Sequence, residues 1–450
     1  MSRIRIRPGG AVVAALGLIL AGAVATPAQA AAAVEGAAAA VGSASFVPFD
    51  AFLAGVSGAD YAGVTAARAN GAVPSQAAFA EMRGYVLDHY RGVQVQHSYV
   101  DNGSYFDCVV ATTQPTVQKL GITKLATPPP LSSVLIGPGR TAGPARTARP
   151  AMSADRRDAF GNTMSCAVGT VPVQRLSLDR LTRFATLREF LAKKPGAPAA
   201  VPSTVTPSVV PHRYATAYQD LNNHGGGSWV DIWNPSGDFS LSQHWYTGGY
   251  GSGLQTVEGG WVHYPGRFGS NSVLFVFFTP DEYNTGCYNL DCTGFVQTSN
   301  SVALGGAFAN YSTPGGAQYS FLEIWYYESA TARWWLLING DFIGYYPGSL
   351  YGTGPLATGG ADHIEYGGET YTAGTSWPQM GSGRFASAGA TYAASQSRIY
   401  YYDASTQVSG ASATLTSYVP YPACYTLDYH QTGTSPLWTY FYYGGAGGSC

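Results

Sequence analysis

The stretch "RWWLLINGDFIGYYP" (333 to 347) joins two apolar and aromatic runs at Asn339-Gly340. A tight two-residue hairpin turn needs positive φ at both central residues, which is why Asn-Gly is favoured there. The flanking runs therefore read as paired antiparallel strands. "VLFVFF" (273 to 278) is apolar without alternation, as a strand buried on both faces is. In "QYSFLEIWYYE" (318 to 328), Leu322, Ile324 and Tyr326 point one way and Phe321, Glu323 and Trp325 the other. Both sides carry large apolar groups, so a second sheet is needed to cover one of them. From residue 212 onward no 3.6-residue period appears, and Gly, Tyr and Trp are frequent. This predicts an all-β fold, an antiparallel β-sandwich of two sheets. Within it, "NNHGGGSW" (222 to 229) lacks the strand, lysine and helix of a phosphate loop and reads as a hairpin connection.

The first half is built differently. Arg3, Arg5 and Arg7 precede a 15-residue apolar run (11 to 25) and a small-residue site ending at Ala30. The run is short of the roughly 20 residues a spanning helix needs, so 1 to 30 reads as a secretory signal peptide and the mature chain as exported, with no membrane anchor. "PSQAAFAEMRGYVLDHY" predicts a helix started by Pro74 and Ser75, with Phe79, Met82, Val86 and Tyr90 on one face. A second helix is expected over 177 to 194, capped by Ser177, with Lys193 and Lys194 in its last turn. Residues 125 to 160 are Pro- and Arg-rich and read as irregular. These elements suggest a small α+β domain over 31 to 192. Five prolines between 193 and 211 mark an extended linker to the β-rich part, 212 to 450.

Charge divides along the same line. Residues 1 to 211 hold 19 Lys and Arg against 11 Asp and Glu, while 212 to 450 hold 5 against 15. An acidic second half without a lysine is a poor partner for nucleic acid. Six cysteines in an exported chain read as disulfides. Cys108 with Cys166 is the pairing available inside the first half. In the second, proximity favours Cys287 with Cys292 and leaves Cys424 for Cys450.

Several chemistries have no support. The eight histidines form no His-Glu-x-x-His and no close pair, so no metal and no cofactor is expected. No Gly-x-Ser-x-Gly elbow appears, and paired cysteines are not nucleophiles. What remains is carboxylates among aromatics. Glu258 in "QTVEGGW" and Glu369 in "IEYGGETY" each adjoin a Gly-Gly that lets another chain approach closely. Glu323, Glu365 and Asp231 are placed as well by pattern alone. An exposed strand glutamate, or one bonded to a tyrosine, would fit equally.

"QTVEGGW", "GCYNLDCTGFVQT" (286 to 298), "WWLLINGDFIGYYP", "IEYGGE" and "PQMGSGRF" (378 to 385) together resemble the neprosin family of glutamic peptidases. "GSYFDCVVATTQP" (103 to 115) and "CAVGTVPVQRL" (166 to 176) resemble that family's activation domain. The resemblance implies a two-sheet sandwich, a catalytic pair at Glu258 and Glu369, and the disulfides Cys287–Cys292 and Cys424–Cys450. It also implies cleavage of peptides or proteins after proline. Arg384 and the tail after about Asp403 depart from the family pattern, which bears on substrate preference.

Two glutamates facing one cleft repel when both ionise, so one keeps its proton and the site holds an acid and a base. The ionised member would take a proton from the attacking water, and the other would hold the oxyanion and protonate the leaving nitrogen. An acidic optimum follows. Gln255 is expected to pack behind the strand of Glu258 rather than donate to it. A basic domain tethered through prolines to an acidic proline-directed peptidase suggests an intramolecular inhibitor released by self-cleavage of the linker. A carbohydrate-binding sandwich and a two-carboxylate glycosidase are the alternatives left by residue chemistry alone.

Overall fold

The computed structural model describes residues 45–66, 73–134, 146–147, 153–193, 212–404, 409–411, 414–431 and 439–450. Residues 1–30, expected to be a signal peptide, and residues 194–211 of the expected linker lie outside them. Pro48–Cys450 form one compact unit.

Among the described residues the first half begins with the helices Phe49–Gly58 (α1), Tyr61–Ala66 (α2) and Gln76–His89 (α3). The hydroxyl of Ser75 accepts from the Ala78 N–H and caps α3, whose buried face includes Phe79, Met82 and Val86. A small antiparallel sheet follows, in the order Val95–Asp101 (β1), Ser104–Val110 (β2), Thr170–Gln174 (β3). The Cys108–Cys166 disulfide ties β2 to the loop before β3. Within the expected irregular stretch 125 to 160, the described residues include a short helix at Leu131–Val134 and a strand at Ser153–Arg157.

The helix expected over 177 to 194 is broken. Leu178–Leu181 (α4) and Leu187–Leu191 (α5) are separate short helices, because Thr186 takes up extended backbone and caps the second by accepting from the Glu189 N–H. Lys193 therefore falls beyond a helix end rather than in a last turn.

The second half is the expected sandwich, made by one antiparallel sheet curled on itself. Its long strands are Arg213–Asp231 (β4), Phe239–Gly248 (β5), Gln255–His263 (β6), Val273–Thr279 (β7), Tyr319–Glu328 (β8), Arg333–Ile338 (β9), Asp341–Pro347 (β10), Ala361–Tyr371 (β11), Ala394–Asp403 (β12), Thr426–Gln431 (β13) and Thr439–Gly444 (β14). One layer runs β7-β6-β5-β11 onto the first part of β4; the other runs β10-β9-β8 onto its last part, then β12, β14 and β13. The Gly225–Gly227 run is thus no hairpin connection. It lies inside β4, where the strand passes from one layer to the other. A Cβ on Gly226 would stand 2.3 Å from the Tyr400 carbonyl oxygen, so glycine permits the crossing. The Asn339-Gly340 hairpin is as expected, with φ of 52° and 88°.

The core between the layers includes Tyr246, Val257, Trp325, Trp334, Tyr346 and Ile364. The rings of Tyr246 and Trp334 meet across it at 5.9 Å. A second core forms on the outer face of the first layer. There Leu241, Trp245, Phe275, Phe277 and Tyr288 pack with Phe79, Met82, Leu181, Phe184 and Phe190 of the first half. Each such side chain taken fully out of water stabilises the docking by about 1.5–3 kcal/mol. The disulfides Cys287–Cys292 and Cys424–Cys450 complete the expected set. Among the described residues no helix is long and apolar enough to cross a membrane.

Candidate active site

Strand register places the two glutamates. Glu258 on β6 lies opposite Trp245 of β5, and Glu369 on β11 lies opposite Leu241 of the same strand. Side chains two apart on a strand share a face, so Leu241, Gln243, Trp245, Glu258 and Glu369 all point to the outer face of this layer. Gly259 points the other way. A Cβ there would stand 2.6 Å from Glu323 Oε1 and 2.9 Å from Trp325 Nε1, so the glycine lets the second layer close directly behind Glu258.

Both glutamates are fully buried, and the reason is a residue from the first half. Lys193, just past α5, puts its Nζ against Glu258 Oε2 and 3.3 Å from Glu369 Oε2. Its ammonium lies 5.1 Å from the Trp245 ring centre and 5.7 Å from that of Tyr283. The Tyr288 hydroxyl donates to its carbonyl at 2.8 Å. Burial works to lower the lysine pKa, but the two carboxylates outweigh it and hold the ammonium above its ordinary value.

The two carboxyl groups have different neighbours. Glu258 accepts from Gln243 Nε2 at 2.7 Å, Thr256 Oγ1 at 2.7 Å and the Tyr283 hydroxyl at 2.9 Å. Glu369 Oε1 lies 2.6 Å from His212 Nδ1, and the Tyr214 hydroxyl donates to it at 3.4 Å. Tyr283 is held in place by its loop. Glu282 and Tyr283 both have positive φ, 57° and 61°, a costly backbone for such residues. Asp281 and Thr279 offset that cost: Asp281 accepts from the Thr285 N–H at 2.7 Å, and Thr279 Oγ1 from the Tyr283 N–H at 2.9 Å.

Cavities flank the pair on two sides. One of about 300 Å³ is walled by Tyr214, Trp245, Tyr250, Tyr283 and Tyr418, with Glu365 at its edge. Another, of about 590 Å³, lies between Tyr85, Leu187 and Leu191 of the first half and Phe277, Tyr283 and Asn284 of the second. Near the latter, Asp291 binds the first half to the second. It pairs with Arg180 at 3.1 Å and Arg267 at 2.6 Å, all three buried. Burial alone would raise the Asp291 pKa, but the two guanidinium groups pull it below the usual carboxylate range.

The other acidic candidates lie elsewhere. Glu323 is sealed in the core between the layers, where Trp325 Nε1 donates to it at 2.9 Å and burial pushes its pKa up to about 8. Asp231 is likewise buried, accepts from Ser395 Oγ at 2.7 Å, and is pushed up to about 7. Glu365 shares the outer face but contacts His363, at 3.5 Å. Gln255 packs away from Glu258 as expected, donating to the Tyr351 carbonyl at 2.8 Å. Lys193, His212, Gln243 and Tyr283 were not singled out by sequence reasoning. Alternation along β5 could have found Gln243, since it shares a face with Trp245. Nothing local marks the other three, because their partners are distant in the chain.

Residues 236–446 match the family model described as Neprosin. That span makes the β-rich half a neprosin-like domain. Two crystal structures of scytalido-glutamic peptidase, with a transition state analog inhibitor and with a peptide based transition state analog, are also similar to it. They cover 53% and 52% of this chain and 99% and 100% of theirs, at 9% identity and TM-scores of 0.29 and 0.30. At that level of likeness nothing further follows from them. The Neprosin-family match runs from just before β5 to the end of β14, so it includes both glutamates, Gln243 and Tyr283, and leaves out Lys193 and His212.

Proposed function

We propose that Glu258 and Glu369 are the catalytic pair of an exported, acid-active endopeptidase that cuts after proline and is made as a latent precursor. One observation carries this reading: a single ammonium touches both carboxylates, so a single water or scissile carbonyl could be addressed by both. With the lysine gone, two like charges within about 6 Å would repel by about 3 kcal/mol in a protein-like dielectric, which favours one shared proton. The ionised carboxylate takes a proton from the attacking water as the O–C bond forms. The protonated one donates a hydrogen bond to the oxyanion, then gives its proton to nitrogen as the C–N bond breaks. The pair ends as it began, with one proton.

The aromatic walls of the smaller cavity support the proline preference, since a pyrrolidine ring packs well on flat rings. Latency rests on Lys193, which occupies the reaction centre and supplies the charge a shared proton would otherwise supply. Lys193 and His212, which bracket the proline-rich segment in the chain, both contact Glu369, so that segment is tethered at both ends to the centre proposed to cut it. Acid protonates the carboxylates that hold Lys193 and Arg180, loosening the first half. The test is digestion of proline-containing peptides across a pH series by the wild type, Glu258→Gln and Glu369→Gln. The wild type should show a bell-shaped profile centred below neutrality and both variants a loss of at least about 100-fold. A maximum near pH 8, or sugar release with peptides left intact, would refute the reading.

A further inference from the structure

His212 stands where the linker rejoins the fold, and its surroundings fix it tightly. The imidazole is 5% exposed, packed 4.8 Å from the Tyr371 ring, with Phe239 edge-on at 6.1 Å and Tyr214 stacked at 6.4 Å. Its Nδ1 lies 2.6 Å from Glu369 Oε1, an ion-pair contact rather than an aligned hydrogen bond. Glu258 has no such neighbour once Lys193 is removed: Gln243, Thr256 and Tyr283 offer it neutral dipoles only. The two hydroxyls among these can rotate to accept as readily as donate, so they serve a protonated Glu258 as well as an ionised one. Any cut within 194–211 leaves His212 on the β-rich half, whereas Lys193 departs with the first half.

We propose that His212 is a positioning residue that makes Glu369 the base of the pair and leaves the resting proton on Glu258. A protonated imidazole carries a full positive charge, and a full charge in ion-pair contact favours an anion more than neutral donors do. The assignment also gives the cycle a direction. After water has given its proton to Glu369 and Glu258 has given its own to the leaving nitrogen, the remaining proton sits on Glu369. The adjacent imidazolium disfavours it there and returns it to Glu258, restoring the starting state. Other charged or titratable groups face the pair. They are Tyr214 and Tyr371 beside the imidazole, Tyr283 and Tyr288 across the cleft, Glu365 along β11, and Glu189 and Asp238 beyond Tyr371. The cations near these groups already have carboxylate partners of their own: His363 pairs with Asp220 and Glu365, and Arg267, 4.7 Å from the Tyr288 ring, pairs with Asp291.

The inference rests on the peptidase reading and is tested on the acid-treated full chain with a fluorogenic proline peptide between pH 2.5 and 7. The acid limb of kcat/KM reports protonation of the base, so His212→Gln should move it upward by about one pH unit and lower kcat about tenfold, with KM within about twofold. His212→Lys keeps a cation and should hold the limb in place, a rescue that a packing role would not predict. A second arm does not depend on a histidine variant folding. A glutamine at the acid position can still donate to the oxyanion, whereas one at the base position cannot take a proton. Glu258→Gln should therefore retain at least about tenfold more activity than Glu369→Gln. An unmoved acid limb in a folded His212→Gln chain, or the reverse order of the two glutamine variants, overturns the assignment. A wild type that cleaves no proline peptide instead sinks the peptidase reading.

Discussion

His89 closes α3 and is buried at the seam between the halves, 2% exposed. Burial pushes its pKa down to about 4; Lys119 and Arg180 push the same way, while Asp291 and Asp88 oppose. A histidine whose folded pKa is depressed below its ordinary 6.5 binds protons more tightly when released. The folded, docked state is therefore at full strength above about pH 6.5, loses stability as the pH falls through that value, and stops losing it below about pH 4. At 1.36 kcal/mol for each tenfold difference in proton affinity, the loss across this window is about 3 kcal/mol. That is a large share of the 5–15 kcal/mol typical of a whole domain, and it falls in the pH range where the precursor is proposed to open. The perturbation is His89→Leu, which removes the titration and keeps most of the packing. Melting of the Glu369→Gln chain, the less active of the two glutamine variants, should be followed at pH 7.0 and 4.5 with and without the second change. Both chains will lose stability in acid because carboxylates protonate, but the chain with leucine should lose several degrees less. Parallel losses would refute the reasoning, since they would mean that His89 is neither desolvated nor released in the transition.

Two further outcomes follow from the same seam. Replacing Lys193 with methionine should abolish latency: the precursor cleaves a proline peptide before any linker cut, whereas wild-type precursor at the same pH does not, as an activity time course with gel analysis would reveal. Asp291→Asn strands two buried guanidinium groups and should destabilise the docked chain by about 3–5 kcal/mol at pH 7. Asp291 has a depressed pKa, so its contribution is present above the usual carboxylate range and fades as the pH falls through its folded value. Chemical denaturation of the two chains should accordingly converge in strong acid.

How far the sequence speaks depends on whether a feature's partners are near it in the chain. The Asn339-Gly340 hairpin, the alternating faces of β8 and the Ser75 cap rest on neighbours within a few residues, and each was legible. The break between α4 and α5 turns on Thr186 acting as a cap, a choice that the apolar spacing of Leu181, Phe184 and Leu191 does not reveal. The passage of Gly225–Gly227 through β4 was misread because a glycine run signals close approach of another backbone as well as a turn, and only the positions of Tyr400 and Trp325 distinguish the two. At the candidate site, Glu258 and Glu369 stood out through family motifs rather than through their own spacing, which left Glu323, Glu365 and Asp231 equal to them. Neighbours separate these: Glu323 bonds to Trp325 between the layers and Asp231 to Ser395 on the other face of β4, each without a second carboxylate, and burial holds each toward its neutral form. Lys193 was assigned to a helix end on charge grounds, since a cation suits a helix C-terminus. Its actual partners are two carboxylates 65 and 176 residues away.

Why a lysine should fill this cleft follows from the pair itself. A neutral plug would leave two carboxylates facing each other out of water, and one of them would have to keep a proton, which is the arrangement that the proposed hydrolysis requires. An ammonium between them changes the state as well as the access: it compensates both charges, removes the need for the shared proton, and is itself held charged by them. Acid reverses this stepwise. The first proton delivered to either carboxylate removes half of the attraction on Lys193 and at the same time creates the one-proton pair. Release of the plug and charging of the catalytic acid would then be the same event, so a precursor that opens is already in the protonation state in which it can cut.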